Sequence, residues 1–337
     1  MNPYLIPGFE DTPIAPLSPL NNKDHHTFYV AVDDTETEFR RFQDTMRSVG
    51  RLMEEGRLVV VTGKPGCGKT SLINRCAAWL RDELAEVEST AVIIPLTRSA
   101  KLDDPITHRM EQVITDVIDH LSNEQHEVRA QDIELLRRKI REIQETTRIR
   151  SVIGREDRQK QLIAQVDRVY KYIMQEALPD DRIAIILLPP SSELVNEITH
   201  YADFARYPRI VFFAETDYVD DVRRMWPRIS TNDRRTPILL KVGPLNTGDG
   251  WTYAQARQGI NSAGRNFPTV TEETMRRVTE GNVVSIRRLH WLLYSVYKNL
   301  ASQNTSNDSS PLREVSFDRI AQHFFQLEFG ESSGNMS

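Results

Sequence analysis

The sequence predicts an α/β protein: a parallel five-stranded sheet with helices on both faces, a helical insertion and a C-terminal helical domain. Three observations carry this. Five short apolar runs, RLVVVTG, TAVIIPL, IAIILL, RIVFFAET and PILLKVG, are separated by stretches of helical periodicity. Strands that alternate with helices form a parallel sheet covered on both faces. The runs are continuous rather than alternating, as strands buried on both sides are. Finally, the first run closes on TGKPGCGKTS, a glycine-rich turn directly before a segment of helical character.

Residues 1–27 carry five prolines and little apolar periodicity, which predicts an extended arm. Asp33 or Asp34 can cap the next helix, along which Phe39, Phe42, Met46, Val49 and Met53 recur at helical spacing until Gly56. The first strand and the glycine-rich turn follow, then a helix over about 69–85 and the second strand over 90–96. Residues 105–178 read as an almost wholly helical insertion. Ile133, Leu136, Ile140 and Ile143 give it a heptad seam, so a helical hairpin or short coiled coil is expected. The remaining strands lie at 183–188, 209–216 and 237–243, which closes a core domain over 28–245. From Trp251 the pattern is helical only, a separate small domain over 246–300. A polar linker covers 301–315, and SFDRIAQHFFQLEF begins a last amphipathic helix, capped by Ser316, in 316–337.

At 337 residues the chain is long enough for two or three compact units with cores of their own. Charged residues make up 27% and the net charge is −5, an ordinary soluble balance that argues against a globally basic nucleic-acid binder. The longest apolar run, about eight residues, is far short of a bilayer span. MNPYLIPGFEDTP has no basic start and no long apolar stretch, unlike a secretory signal. Cys67 and Cys76 offer no disulfide framework and fit a reducing cytosol, so a cytoplasmic location is expected.

The turn contains Gly63-x-x-x-x-Gly68-Lys69-Thr70, a phosphate loop. Glycines let Gly63, Lys64, Pro65, Gly66, Cys67 and Gly68 fold tightly, with successive N–H groups aimed at phosphate oxygens. Lys69 adds a point charge at the β- and γ-phosphates. The Thr70 hydroxyl can ligate Mg2+, and the following helix, which continues with Ser71, offers its positive end. The pattern predicts ATP and Mg2+ as ligands. Cys67, near that helix terminus and Lys69, is expected to have a lowered pKa.

The order of elements from about 28 to 300 resembles an AAA+ ATPase. It is similar to the initiator-type and transposition-regulator members, with some likeness to KAP-type and STAND-like NTPases. IVFFAETD stands where that family has its sensor 1 strand, which implies a role for Glu215 or Thr216. RRMWPRIS is similar to the segment whose arginine reaches a neighbour's nucleotide, and that arginine corresponds to Arg228. EGNVVSIRRLHWLL resembles the sensor 2 element of the family's helical lid. There Val284 takes the usual arginine place and Arg287 follows three positions later as the implied nucleotide contact. The resemblance implies a homo-oligomer with nucleotide between subunits. The largest departure is in LLPPSSELVNEI, where Pro189 and Pro190 replace the acids that hold magnesium and aim water. Proline can do neither and fits only a strand end. Glu215 is the best replacement implied, because the family places the fourth strand between the first and third; Glu193 is second.

Residues 137–160 hold nine Lys or Arg against four acids. Such a patch can follow a phosphate backbone, but it lacks the aromatics that would stack single-stranded bases. Three functions remain open: an ATP-controlled oligomeric switch with weak hydrolysis that recruits a partner protein, an ATP-dependent DNA-binding regulator, and a scaffold with structural ATP.

Overall fold

The computed structural model describes residues 2–96, 106–123, 130–148, 155–190, 194–229, 237–260, 267–281, 285–303 and 314–329. The chain divides into two compact units. One comprises Arg41–Thr62 and Cys76–Leu240. The other comprises Met1–Arg40, Gly63–Arg75 and Lys241–Ser337, so the phosphate loop groups with the two ends of the chain.

The first unit holds the sheet. Its strands are β1 (Arg57–Thr62), β2 (Thr90–Pro95), β3 (Arg182–Leu187), β4 (Ile210–Thr216) and β5 (Ile238–Lys241, as far as Leu240). Their order is β2-β3-β4-β1-β5, and the β2–β3, β3–β4 and β4–β1 pairs are parallel. The fourth strand therefore does lie between the first and third. Every residue of β4 is buried, as its unbroken apolar run requires. β4 is in register with β1, so that Glu215 faces Val61 and Thr216 faces Thr62 along the ladder.

The insertion holds three helices, α3 (Ile106–Asn123), α4 (Ala130–Arg148) and α5 (Arg155–Tyr172), continued by a π turn over Ile173–Ala177. The expected two-helix seam is thus replaced by a three-helix cluster. Met110, Val113, Val117, Leu136, Leu162, Val166 and Tyr170 join the same core as the sheet residues Val60, Val92, Ile186 and Phe212. Of the proposed heptad residues Leu136 is buried, and the side chains of Ile133, Ile140 and Ile143 lie outside the described set. A buried ion pair, Arg109 to Glu197 at 2.6 Å, ties α3 to α6 (Leu194–Phe204). The helix expected up to Gly56 is interrupted: α1 (Thr35–Thr45) ends and a 3-10 turn covers Val49–Met53. Phe42 and Met46 remain buried across the break.

In the second unit α8 (Asp249–Ile260), α9 (Glu272–Gly281), α10 (Ile286–Gln303) and α11 (Phe317–Phe329) pack around Tyr253, Met275, Leu289, Leu293 and Ile320. The N-terminal segment, expected to be an extended arm, folds onto this unit. Tyr4 is fully buried beside the Tyr253 and Tyr297 rings. Ile6, Leu17 and Phe28 form a small core of their own. The buried His25 accepts the Ser18 N–H on Nδ1 at 3.1 Å and meets the Pro7 carbonyl through Nε2 at 3.0 Å. Prolines suppress helical periodicity, but they do not stop single aromatic residues from filling a groove.

Candidate functional site

β1 ends at Thr62, and the phosphate loop begins at the next residue. Gly66 and Gly68 both have φ of +81°, a conformation that L side chains rarely adopt. The Cys67 N–H donates to the Lys64 carbonyl at 3.3 Å to close the turn. α2 (Lys69–Glu86) starts there, with the Leu72 N–H on the Gly68 carbonyl at 2.9 Å. Lys64, Pro65 and Thr70 are exposed, so the mouth of the loop is open where phosphates and a magnesium ion would enter. Lys69 is buried, and its Nζ donates to the Gly63 and Lys64 carbonyls at 3.0 and 3.1 Å. Those two bonds hold the ammonium group at the loop, where phosphate oxygens can replace the carbonyls. A helix N-terminus, a lysine and a glycine turn together make an anion site.

α10 begins against this loop. The Arg287 N–H donates to the Gly66 carbonyl at 3.1 Å, and a Cβ on Gly66 would lie 2.8 Å from the Ser285 Oγ. The Arg287 side chain is exposed beside Pro65 and Gly66 in an open cavity that Arg288 and Trp291 also line. The residue singled out from the lid is therefore brought to the loop. Ser71 is tied to the N-terminal segment instead: its Oγ accepts the Leu17 N–H at 3.1 Å, and its carbonyl accepts the Tyr29 hydroxyl at 2.8 Å.

A second cavity borders the loop and was not foreseen from the sequence. It has a volume of about 70 Å³ and is lined by Val30, Asp33, Gly68, Leu72, Arg75 and Arg257, among others. Its walls are apolar with few polar groups. Arg75 lies over the Phe39 ring at 3.9 Å and pairs with Glu36 at 2.7 Å. Arg257 is buried, its guanidinium lies over the Phe28 ring at 5.2 Å, and its Nη1 has no hydrogen-bond partner. Asp33 is buried; its carboxylate oxygens meet no donor in full hydrogen-bond geometry, with Thr35 the nearest. Burial, together with the neighbouring Asp249 and Asp34, pushes it up to about 8 against the pull of Thr35. The only sequence signal was the Asp33–Asp34 pair ahead of α1, which reads as a helix cap.

Cys67 departs from expectation. It is 1% exposed, and burial first, then Asp33, raise its pKa above the ordinary value; Lys69 and Lys64 only partly offset this. Desolvation outweighs the helix terminus, so ionisation of the thiol is disfavoured rather than favoured.

The remaining site residues belong to the sheet unit. Glu215 is buried at the penultimate position of β4. Thr216, also buried, accepts the Tyr218 N–H on Oγ1 at 3.1 Å. Through the β1–β4 register both flank the strand end from which the loop leaves. Pro189 and Pro190 follow the end of β3, Pro189 buried and Pro190 exposed, as residues without an N–H must at a strand tip. Glu193 lies outside the described residues. Arg228 is exposed near the end of α7 (Val219–Ile229), where Arg223 and Arg224 pair with Asp220 and Asp221. Of its other basic neighbours, Arg234 and Arg235 lie outside the described residues. Among the described residues no group of three or more His, Cys, Asp or Glu could hold a metal. No described helix is long and apolar enough to cross a membrane.

No protein-family model matches the sequence, and no curated protein matches it significantly. Solved structures do. The ORC2 protein of Aeropyrum pernix, in ADPNP–ADP complexes, has a TM-score of 0.51 and 10% identity over 90% of this chain and 70% of that one. The Aeropyrum pernix ORC1 protein in complex with DNA has a TM-score of 0.49 and 12% identity, covering 87% and 65% of the two chains. Domain III of the Thermotoga maritima replication initiation protein DnaA has a TM-score of 0.45 and 13% identity over 92% and 97%. At such identities the likeness is one of fold.

Proposed function

We propose that this chain, an AAA+ P-loop ATPase of initiator type by fold, binds ATP with Mg2+ and acts as a nucleotide-controlled oligomeric switch with slow hydrolysis. The observation that carries the reading is the phosphate loop with the start of α10 hydrogen-bonded to it through Gly66. A loop that holds phosphates and a lid that touches the same loop let bound nucleotide set the position of the lid. The ORC2 protein that shares the fold was solved with adenine nucleotides.

In this reading the loop N–H groups and Lys69 bind the phosphates, and Arg287 reaches them from the lid. Thr70 would hold magnesium, which neutralises charge on the phosphate oxygens. Arg228, exposed on α7, reaches the nucleotide of a neighbouring subunit. Slow turnover follows from Pro189 and Pro190, since a missing base or water-positioning acid typically costs 10²–10⁴-fold. Glu215, a buried carboxylate near the tip of β4, supplies the residual activity, with Glu193 as the second candidate. A calorimetric titration tests the binding step: Lys69→Ala should remove most ATP affinity, and unchanged binding would overturn the reading.

The basic stretch 137–160 supports a second reading, contact with duplex DNA, through the exposed Arg137 and Arg138 on α4. Against it, Arg141 is paired with Glu134 at 2.9 Å, and Lys139 lies 5.3 Å from the centre of the Tyr172 ring. DNA affinity that falls steeply with salt, and that is lost when Arg137, Arg138 and Lys139 are reversed to glutamate, would favour it.

A further inference from the structure

Large apolar side chains on a protein surface are ordinary when scattered and informative when they gather. Among the described residues six stand exposed, and three of them, Ile14, Trp291 and Phe325, fall on one face beside the phosphate loop. Ile14 and Trp291 line a single open cavity of about 300 Å³ together with Pro65 and Gly66. Arg288, in the same cavity, lies over the Phe324 ring at 5.1 Å, and Phe325 meets that ring edge-on at 6.1 Å. Trp291 is 40% exposed and Phe325 59%. The Trp291 ring is nonetheless held: it stacks at 6.1 Å and 18° on Tyr294, which is itself buried. A ring already held by its neighbour binds with little ordering cost. The charge on this face has one sign. Arg287 and Arg288 line the cavity, and among the described residues no carboxylate does. Arg287, Trp291 and Lys298 recur at helical spacing along α10, and Lys298 lies 5.9 Å from the centre of the Tyr294 ring.

We propose that this face of α10 is the docking surface for a partner protein that inserts a short acidic segment carrying one large apolar side chain. The apolar side chain fills the cavity against Trp291, Ile14 and Pro65, and its acidic neighbours meet Arg287 and Arg288. Such a partner is what a nucleotide-controlled switch would engage, yet the surface is complete without nucleotide and does not depend on that reading.

Composition and charge choose the occupant. Tryptophan and arginine are prominent among the side chains that carry binding energy at protein interfaces, and they do so around pockets that receive an anchor. A cationic rim on an apolar pocket selects acidic flanks, because opposite charge steers the encounter and like charge is repelled. The same sign argues against a second copy of this chain: a two-fold axis through Trp291 would set Arg287 and Arg288 against their own counterparts. A single-stranded nucleic acid would need successive rings along a basic groove. Here Ile14 and Pro65 wall the space beside Trp291, and such walls suit an apolar side chain. The position gives docking a consequence. Pro65 and Gly66 belong to the phosphate loop, and the Arg287 N–H donates to the Gly66 carbonyl, so a segment seated here touches loop and lid where they join.

The experiment is selection of phage-displayed random peptides of about 12 residues against the full chain without nucleotide, followed by polarisation titration of the enriched peptides with a fluorescent label. Sequences with one aromatic or long aliphatic residue flanked by Asp or Glu should be enriched. Their affinity should fall about fivefold or more between roughly 0.05 M and 0.3 M salt. Trp291→Ala should weaken them about tenfold or more. Because Trp291 also covers Tyr294, Arg288→Glu is the second variant, and it should weaken them by a similar factor. Val87→Ala, at an exposed apolar residue of the sheet unit, should leave binding unchanged. No enrichment, enrichment of sequences without acids, or binding that survives either folded variant would overturn the proposal. Binding of oligo(dT) that is lost in Trp291→Ala would overturn it in favour of a nucleic-acid platform. A change in particle size of the nucleotide-free chain on Trp291→Ala would overturn it in favour of a contact between copies. ATP that fails to bind the folded parent would sink the nucleotide reading and leave these results as they are.

Discussion

Gly66→Ala should uncouple the lid from the phosphate loop. Gly66 has φ of +81°, and alanine there bears a left-handed penalty of about 1–2 kcal/mol. Its Cβ would stand 2.8 Å from Ser285 Oγ and 3.3 Å from the Arg287 Cβ, so the Ser285 hydroxyl must turn away and the start of α10 must give by a few tenths of an ångström. That shift strains the Arg287 N–H bond to the Gly66 carbonyl, whose full loss is worth about 0.5–1.5 kcal/mol. If the lid-docked state is the one that binds, loss of that bond weakens ATP roughly 2- to 13-fold, while the backbone penalty falls on stability. Gly248→Ala is the control: it has φ of +94° but nothing within 4 Å of the new Cβ. It should lower stability by a similar backbone penalty and leave ATP affinity alone. Urea unfolding and calorimetric titration of both variants separate the effects. Removing the hydroxymethyl group in Gly66→Ala/Ser285→Gly should recover part of the affinity. A Gly66→Ala protein that binds ATP like the parent would refute the docking argument.

Turnover should be well below the enzyme median of about 10 s⁻¹ and should drop further in Glu215→Gln; ordinary rates untouched by that change would place the water-activating acid elsewhere. The second unit should lose stability in mild acid. His290 is buried, with Nδ1 bonded to the Tyr253 hydroxyl, and burial, then the Arg257 charge, hold it down to about 3. The fold keeps it neutral, whereas the unfolded chain takes up a proton below about pH 6.5. Its contribution is therefore complete above that pH and is lost as pH falls toward the folded value, by about 2 kcal/mol at pH 5. His290→Gln should flatten the melting temperature between pH 7 and pH 5; the same slope in both proteins would assign the acid loss to other groups. Asp33 has the opposite sign. Its raised pKa favours the fold at low pH and is a growing cost as pH rises toward about 8, so Asp33→Asn should melt higher than the parent at pH 8.

The strands and the phosphate loop were legible because their signals are local. RLVVVTG and IVFFAET need only burial on both faces, and Gly68-Lys69-Thr70 needs only a turn before a helix. The sheet order followed from the resemblance rather than from any residue pattern. What escaped depends on contacts far apart in sequence. Tyr4 is buried by Tyr253 and Tyr297, which no window around residue 4 contains. The seam in α4 read as a two-helix pattern because one apolar stripe looks alike facing one helix or two. Cys67 misled because a helix terminus and a lysine are visible in sequence, whereas desolvation is not. Asp33 was readable only as a cap, since its burial comes from a cavity that Gly68, Arg75 and Arg257 also line. Glu193 and residues 149–154 within the basic stretch lie outside the described residues, so their placement rests on sequence alone.

Particle size by light scattering tests the central claim most directly. The parent and Arg228→Ala would be measured without nucleotide, with ADP, with ATP, and with a non-hydrolysable ATP analogue, each with magnesium. The account predicts a larger species with ATP and with the analogue, a smaller one with ADP or no nucleotide, and no growth in Arg228→Ala even though it still binds ATP. One size for the parent under all four conditions would contradict a nucleotide-controlled assembly, and ATP-driven growth of Arg228→Ala equal to the parent's would remove Arg228 from it.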